Sequence, residues 1–203
     1  MSTASPTKFD HLVSAFRDRS LLKTAEIQQL GISREYVRRL MNTGRLERVS
    51  RGLYRLPDAD IGSNHSVAEA AKLVPNGVVC LLSALRVHRI TTQSPFEVWM
   101  AVESGDWQSK SSDVPIRFIR PFGPAFHEGI EHIDVDGVDA RVYSLAKTVV
   151  DCFKYRSKIG LDVALEALRE SLRKKRVSVD DLWRYAKICR VTNVMRPYLE
   201  AMD

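Results

Sequence analysis

Several kinds of chemistry are missing from this chain before any motif is sought. It has three cysteines, Cys80, Cys152 and Cys189, far apart and odd in number, with no CxxC pair. That argues against a zinc cluster and against a disulfide framework. Reduced thiols fit a cytoplasmic protein. No run of about 18 apolar residues occurs, so no membrane span is expected. The opening MSTASPTKFDHLV has no apolar stretch long enough for a signal peptide. Neither GxxxxGKS/T nor GxGxxG is present, so no phosphate-cradling loop and no nucleotide cofactor is implied. There is no internal repeat and no low-complexity tract. No long heptad pattern argues for a permanent coiled-coil dimer, which leaves a monomer or a weak dimer.

What is present is ordinary in amount and uneven in place. The 203 residues are 44% hydrophobic and 28% charged, a globular composition. Net charge is +6. Residues 1–60 hold 11 Lys/Arg against 7 Asp/Glu, while residues 61–203 hold 20 against 18. The positive excess therefore lies mainly in the first third.

That third carries the clearest motif, TAEIQQLGISREYVRRLMNTGRLERVSRGLYRL, from Thr24 to Leu56. Phe9, Leu12, Val13 and Phe16 have helical spacing, which predicts a first helix over 8–18. Thr24 is the expected N-cap of a second, short helix with Ile27 and Leu30 on its apolar side. Gly31 stops it, and Ser33 caps a third helix buried along Val37, Leu40 and Met41. Gly44 ends that helix. Leu46–Val49 and Leu53–Leu56 then alternate around Ser50-Arg51-Gly52, the pattern of a hairpin. Helix, turn, helix and hairpin make a winged helix-turn-helix, a module that sets one helix in a DNA major groove.

Its polar face is arginine. From Arg34 to Arg55 there are seven basic residues, all arginine, and two acids. The planar guanidinium suits paired contacts to phosphate or guanine. Arg34 and Arg38, early on the third helix, are the expected base readers, with Glu35 and Asn42 on the same surface. Arg39, Arg45, Arg48 and Arg51 are the expected phosphate anchors, and the wing tip Arg51 has Arg48 and Arg55 beside it, in reach of phosphates or a minor groove. Tyr54 is expected to pack between wing and helix. The partner so implied is double-stranded operator DNA. The alternative is a winged fold serving as a protein-docking surface.

Pro57 to Asn64 breaks the pattern and is the expected linker, dividing a domain over 1–60 from one over 61–203. In the second, Ser66 is expected to cap a helix to about Val74. Ser83–His88 reads as helix, Phe96–Val102 and Pro115–Ile119 as strands, and Ile130–Val135 with Val138–Tyr143 as a hairpin. From Ser144 the chain turns helical: LAKTVVDCFKYR with Leu145, Val149 or Val150 and Phe153 inward, then Leu161–Leu172, a helix capped by Ser178, and 192–202 interrupted by Pro197. The fold class expected is α+β: a winged helix-turn-helix, then a small sheet followed by C-terminal helices.

Catalytic patterns fail on spacing. His127 and His132 are five apart, about 140° around a helix, where HExxH needs four. Ser144-Leu-Ala-Lys147 has the SxxK form without its SDN and KTG partners, and helix capping accounts for Ser144. Glu97 and Glu103 are not followed by the lysine of a metal-dependent nuclease. No metal and no enzymatic activity are expected. An acidic cluster (Glu128, Glu131, Asp134, Asp136, Asp139) and a basic helix end (Arg169, Arg173, Lys174, Lys175, Arg176) read as solvated surface.

Taken together, three segments resemble the AbiEi family of antitoxins from type IV toxin–antitoxin systems. These are the module ending in RVSRGLYRLP, the central VCLLSALRVHRITTQSPFEVWMAV, and YSLAKTVVDCFKYRSKIGLDVALEALRE. The resemblance implies a repressor that binds inverted repeats upstream of its own operon and counters a nucleotidyltransferase-like toxin, with residues 61–203 as an α+β antitoxin domain. It points to the region of Ser83, His88, Lys147, Thr148 and Asp151 for toxin control. The chain departs from the pattern at His88-Arg-Ile, where a Gly often follows the His. A stand-alone regulator without a toxin remains the alternative.

Overall fold

The computed structural model describes residues 7–17, 19–58, 64–91, 93, 95–103 and 114–201. The first part runs α1 (Lys8–Ala15), β1 (Leu22–Lys23), α2 (Thr24–Gln29), α3 (Arg34–Asn42), β2 (Glu47–Ser50) and β3 (Leu53–Arg55). Thr7 starts α1 through a reciprocal box: its hydroxyl accepts the Asp10 N–H at 3.2 Å and its own N–H reaches the Asp10 carboxylate at 2.7 Å. Leu12, Phe16, Leu22, Ile27, Ile32, Val37, Leu40, Leu46 and Tyr54 close one small core. Each such aliphatic side chain contributes about 2 kcal/mol by leaving water.

Two details differ from the sequence expectation. Thr24 is the first helical residue of α2, and Lys23 is its cap, with the Lys23 N–H donated to Glu26 at 2.6 Å. Thr24 works sideways instead: its N–H and hydroxyl both donate to the Gly52 carbonyl, at 2.9 and 3.3 Å. Strand β1 was not expected. It pairs antiparallel with β3, Leu22 opposite Tyr54, and makes the wing three-stranded in the order β1-β3-β2. Two residues carry no readable period.

The second part holds α4 (His65–Leu73), β4 (Val78–Val79), α5 (Leu81–Val87), β5 (Val98–Ala101), β6 (Ile116–Ile119), α6 (Pro124–His127), β7 (Ile130–Val135), β8 (Val138–Tyr143), α7 (Leu145–Lys154), α8 (Arg156–Ile159), α9 (Leu161–Arg173), α10 (Val179–Ile188) and α11 (Thr192–Glu200). Its mixed sheet has the order β6-β5-β4-β8-β7. Pairs β5/β6 and β4/β8 are parallel, and β4/β5 and β7/β8 antiparallel. Alternation along the strands sorts the core. Val78, Trp99, Ala101 and Tyr143 face the helical layer of α5, α7, α9 and α10. Val79, Val98, Met100 and Val142 face α4. The α+β class is as expected, and the β7–β8 hairpin has its expected bounds.

Three corrections apply here. Asn64, not Ser66, is the cap residue of α4. The short helices α6 and α8 are additions. Helix α7 is not one-sided: nine consecutive residues, Leu145–Phe153, are buried, Lys147, Thr148 and Asp151 among them. It runs through the centre, between the sheet and the outer helices, so even its polar side is enclosed. The expected linker lies in part outside the described residues. On either side of it the two parts touch, since Leu21 and Leu53 complete the apolar cluster of α4 and the sheet.

Candidate nucleic-acid interface

Helix α3 is set by its ends and its buried stripe. The Ser33 hydroxyl accepts the Tyr36 N–H at 3.2 Å. Gly44 follows the helix at φ +66°, where a left-handed residue closes it cheaply. Val37 and Leu40 face the core, with Met41 half-buried beside them. The outer face therefore carries Arg34, Glu35, Arg38, Arg39 and Asn42, all exposed. Arg34 and Arg38, four apart, share one line along the helix. Neither has a carboxylate partner among the described residues. The Arg39 guanidinium lies 4.7 Å from the Tyr36 ring centre, so its stem is held over that ring. Ser33, Glu35, Tyr36, Arg38, Arg39 and Asn42 line a shallow concavity of about 440 Å³ along this face.

The wing stands beside it. A register shift between Arg48 and Ser50 bends β2, and Gly52 at φ +77° closes the turn. Arg51 is exposed at the tip. Because Thr24 grips the Gly52 carbonyl, the tip is tied to the start of α2. Arg55 sits differently from the other arginines. It is half-buried and bonded to Glu47 across the hairpin, with both guanidinium contacts at 2.8 Å. Arg48 is exposed but donates Nε to the Ser50 carbonyl at 3.2 Å. Arg45 stacks on Phe9 of α1 at 3.8 Å. Eight of the nine residues expected to meet DNA thus lie exposed on α3, the wing or the link between them, and Arg55 braces the hairpin. Tyr54 is buried in the small core, as expected.

Residues 11–57, which span this surface, match a family model described as transcriptional regulator, AbiEi antitoxin. The winged segment is an AbiEi-type domain. The whole chain is similar in fold to the crystal structure of the RV2827C protein from Mycobacterium tuberculosis. The two share a TM-score of 0.60 and 13% identity, over 92% of this chain and 73% of the other. That likeness extends the fold comparison beyond the AbiEi-type domain into the sheet and the C-terminal helices. No curated protein matches the chain.

The five residues that the AbiEi resemblance marked for toxin control come together, but inside. Ser83 (1% exposed) accepts the Trp99 N–H at 2.9 Å, joining α5 to β5. His88 (7% exposed) donates Nε2–H to the Tyr143 carbonyl at 2.7 Å. The Thr148 hydroxyl donates to that same carbonyl at 3.1 Å. Lys147 bonds Asp151 at 2.5 Å and lies 4.1 Å from the Tyr143 ring centre. The second Asp151 oxygen accepts the Cys189 thiol at 3.4 Å. Burial holds the Asp151 carboxyl above the usual range, although Lys147 and Cys189 pull it down. Burial also pushes the Cys189 thiol up to about 12, with the Asp151 charge adding to it. This network fastens α5, β5, β8, α7 and α10 to one another. Ser83, Lys147, Thr148 and Asp151 are enclosed, while His88 also lines a concavity of about 330 Å³ with Glu131, Arg176 and Tyr185. Tyr143 and Cys189, central to it, carry no signal in the sequence beyond being apolar enough for a core.

The other clusters are also accounted for. His127 and His132 stand on different elements, held by Glu103 at 3.1 Å and Asp139 at 3.0 Å. Among the described residues, no three His, Cys, Asp or Glu gather as a metal site. Glu97 pairs with Arg117 at 3.4 Å. Ser144 caps α7. At the basic end of α9, Arg176 donates to the His88 carbonyl at 2.6 Å and Lys174 to the Arg89 carbonyl at 3.3 Å. Two of its cations thus bond the carbonyls at and just after the C-cap of α5. No described helix is long and apolar enough to cross a membrane.

Proposed function

We propose that this protein is a non-enzymatic, cytoplasmic DNA-binding repressor of its own operon and the antitoxin of a type IV pair. It would recognise inverted repeats as a monomer or weak dimer and oppose a nucleotidyltransferase-like toxin. The division of labour follows residues 1–60 for DNA and 61–203 for toxin control. One observation carries the DNA reading. Arg34 and Arg38 line the outer face of a rigidly capped helix, and Arg51 stands at the tip of an adjoining wing, all on an AbiEi-type domain. Helix arginines so placed meet guanine edges, and wing and flanking arginines meet phosphates. Toxin control falls to the second domain, where Ser83, Lys147, Thr148 and Asp151 would act from within the fold and His88 from the concavity it lines.

A gel-shift titration against the duplex upstream of the protein's own reading frame tests this, with random duplex as control and at two salt concentrations. Selective binding that weakens steeply with salt supports the reading. Equal affinity for both duplexes removes the repressor and leaves the winged fold as a docking surface for protein.

A further inference from the structure

The winged module and the second domain meet at a junction that mixes strong and missing contacts. The β7–β8 turn closes through Val135 and Val138, with Asp136 at φ +50° and Gly137 at φ +76°. That leaves the Asp136 carbonyl unpaired within the hairpin. It accepts both the hydroxyl of Ser20 and, at 3.4 Å, the Ser20 N–H. In the first turn of α2, Glu26 binds Lys72 of α4 at 2.7 Å with one oxygen and the Lys23 N–H at 2.6 Å with the other. Leu21 (0% exposed) and Leu53 (1%) insert among Val67, Ala68 and Ala71 of α4 and Val135 and Val138 of the hairpin.

Against these stand polar atoms enclosed without a partner among the described residues: Asn64 Oδ1, both ring nitrogens of His65, and Asp136 Oδ2. His65 sits within the fields of Arg55 from the wing and Asp136 from the turn. Buried groups left unpaired oppose the docked arrangement, while the leucines and the two bonded pairs favour it. Favourable and unfavourable contacts are thus set side by side at one junction.

We propose that this junction is a latch through which the second domain sets DNA affinity. The proposal rests on the DNA-binding reading above. Docking leaves the outer face of α3 clear, since the concavity there is lined by Ser33 and α3 residues alone among those described. Docking also ties the wing, through Leu53, to a heavy scaffold. A wing deprived of that packing must be ordered on binding DNA, a cost that the docked wing has already met. Whatever binds near α4 or the β7–β8 turn therefore shifts operator affinity without touching DNA.

The test is a charge reversal set against a conservative replacement. Lys72→Glu sets two carboxylates against each other, and Lys72→Arg keeps the pair and the net charge while leaving the Glu26 bond to the Lys23 N–H in place. Lys72→Gln serves as a milder break if the reversal impairs folding. Upstream-duplex affinity is measured with amide hydrogen exchange over residues 19–26. The expected result is about a tenfold weaker affinity and faster exchange at Ser20 in Lys72→Glu and Lys72→Gln, with both left as in the wild type by Lys72→Arg. Faster exchange with unchanged affinity overturns the latch. Unchanged exchange and affinity in every variant overturn it too. A wild-type protein that binds no duplex sinks the DNA reading itself, a result distinct from either.

Discussion

Lys147 and Asp151 lie one turn apart on α7, bonded at 2.5 Å, and neither is more than 1% exposed. A buried pair of this kind is costly to break and not costly to replace. Removing one partner strands the other charge away from water. Asp151→Leu or Lys147→Met should therefore lower unfolding free energy by about 3–5 kcal/mol. The double change Lys147→Met/Asp151→Leu should cost much less than the sum of the singles. Urea denaturation of the four proteins measures this. Additive losses would show that the pair is not coupled.

The DNA face makes a separate prediction. Arg38→Ala should cost about 1–3 kcal/mol on the upstream duplex and little on random duplex, if it reads a guanine. Arg51→Ala should weaken both duplexes alike and reduce the salt slope by about one. Arg55→Ala should act mainly on stability, because Arg55 holds Glu47 across the wing. Equal loss on both duplexes for Arg38→Ala would remove its base-reading role.

These expectations were legible in the sequence to different depths. The winged module was clear because its helix caps, glycine stops and two-residue periods are local signals. The β7–β8 hairpin was clear for the same reason, with Asp136-Gly137 between two alternating runs. Helix α7 was legible as a helix but not in its surroundings. Lys147 and Asp151 carry the spacing of an exposed ion pair, and only the fold shows α9 and α10 closing over them. The bracing of Arg55 was hidden likewise, because its partner Glu47 is eight residues away across a turn. Long-range pairing of that sort leaves no mark on periodicity.

Histidine protonation gives a pH dependence with a fixed sign. Burial lowers the His88 pKa below its ordinary 6.5, while the bond to the Tyr143 carbonyl pulls the other way. Below that ordinary value the unfolded chain binds the proton more readily than the folded one. Stability is therefore full above about pH 6.5 and is lost as pH falls toward the folded value, at no more than about 1.4 kcal/mol per pH unit for one proton. His65 shifts in the same direction, also through burial first. Melting temperature should be flat from pH 7 to 8 and fall toward pH 5.5, with a shallower fall in His88→Gln. An unchanged slope in that variant would assign the effect to other groups.

Two glycines with the same backbone demand separate strain from packing. Gly31 has φ +75° and Gly129 has φ +74°. A Cβ added at Gly31 meets nothing within 4 Å, so Gly31→Ala carries only the left-handed penalty, about 1–2 kcal/mol. A Cβ at Gly129 would lie 2.8 Å from the Tyr185 hydroxyl oxygen and 3.0 Å from Lys147 Cβ. Tyr185 is packed in the core of α10 and Lys147 is fixed by Asp151, so neither yields easily. Gly129→Ala should therefore cost about 1–3 kcal/mol more than Gly31→Ala. Denaturant midpoints of the two variants compare them directly. A loss at Gly129 no larger than at Gly31 would mean that Tyr185 or Lys147 can move, and that the polar network around α7 is softer than its burial implies.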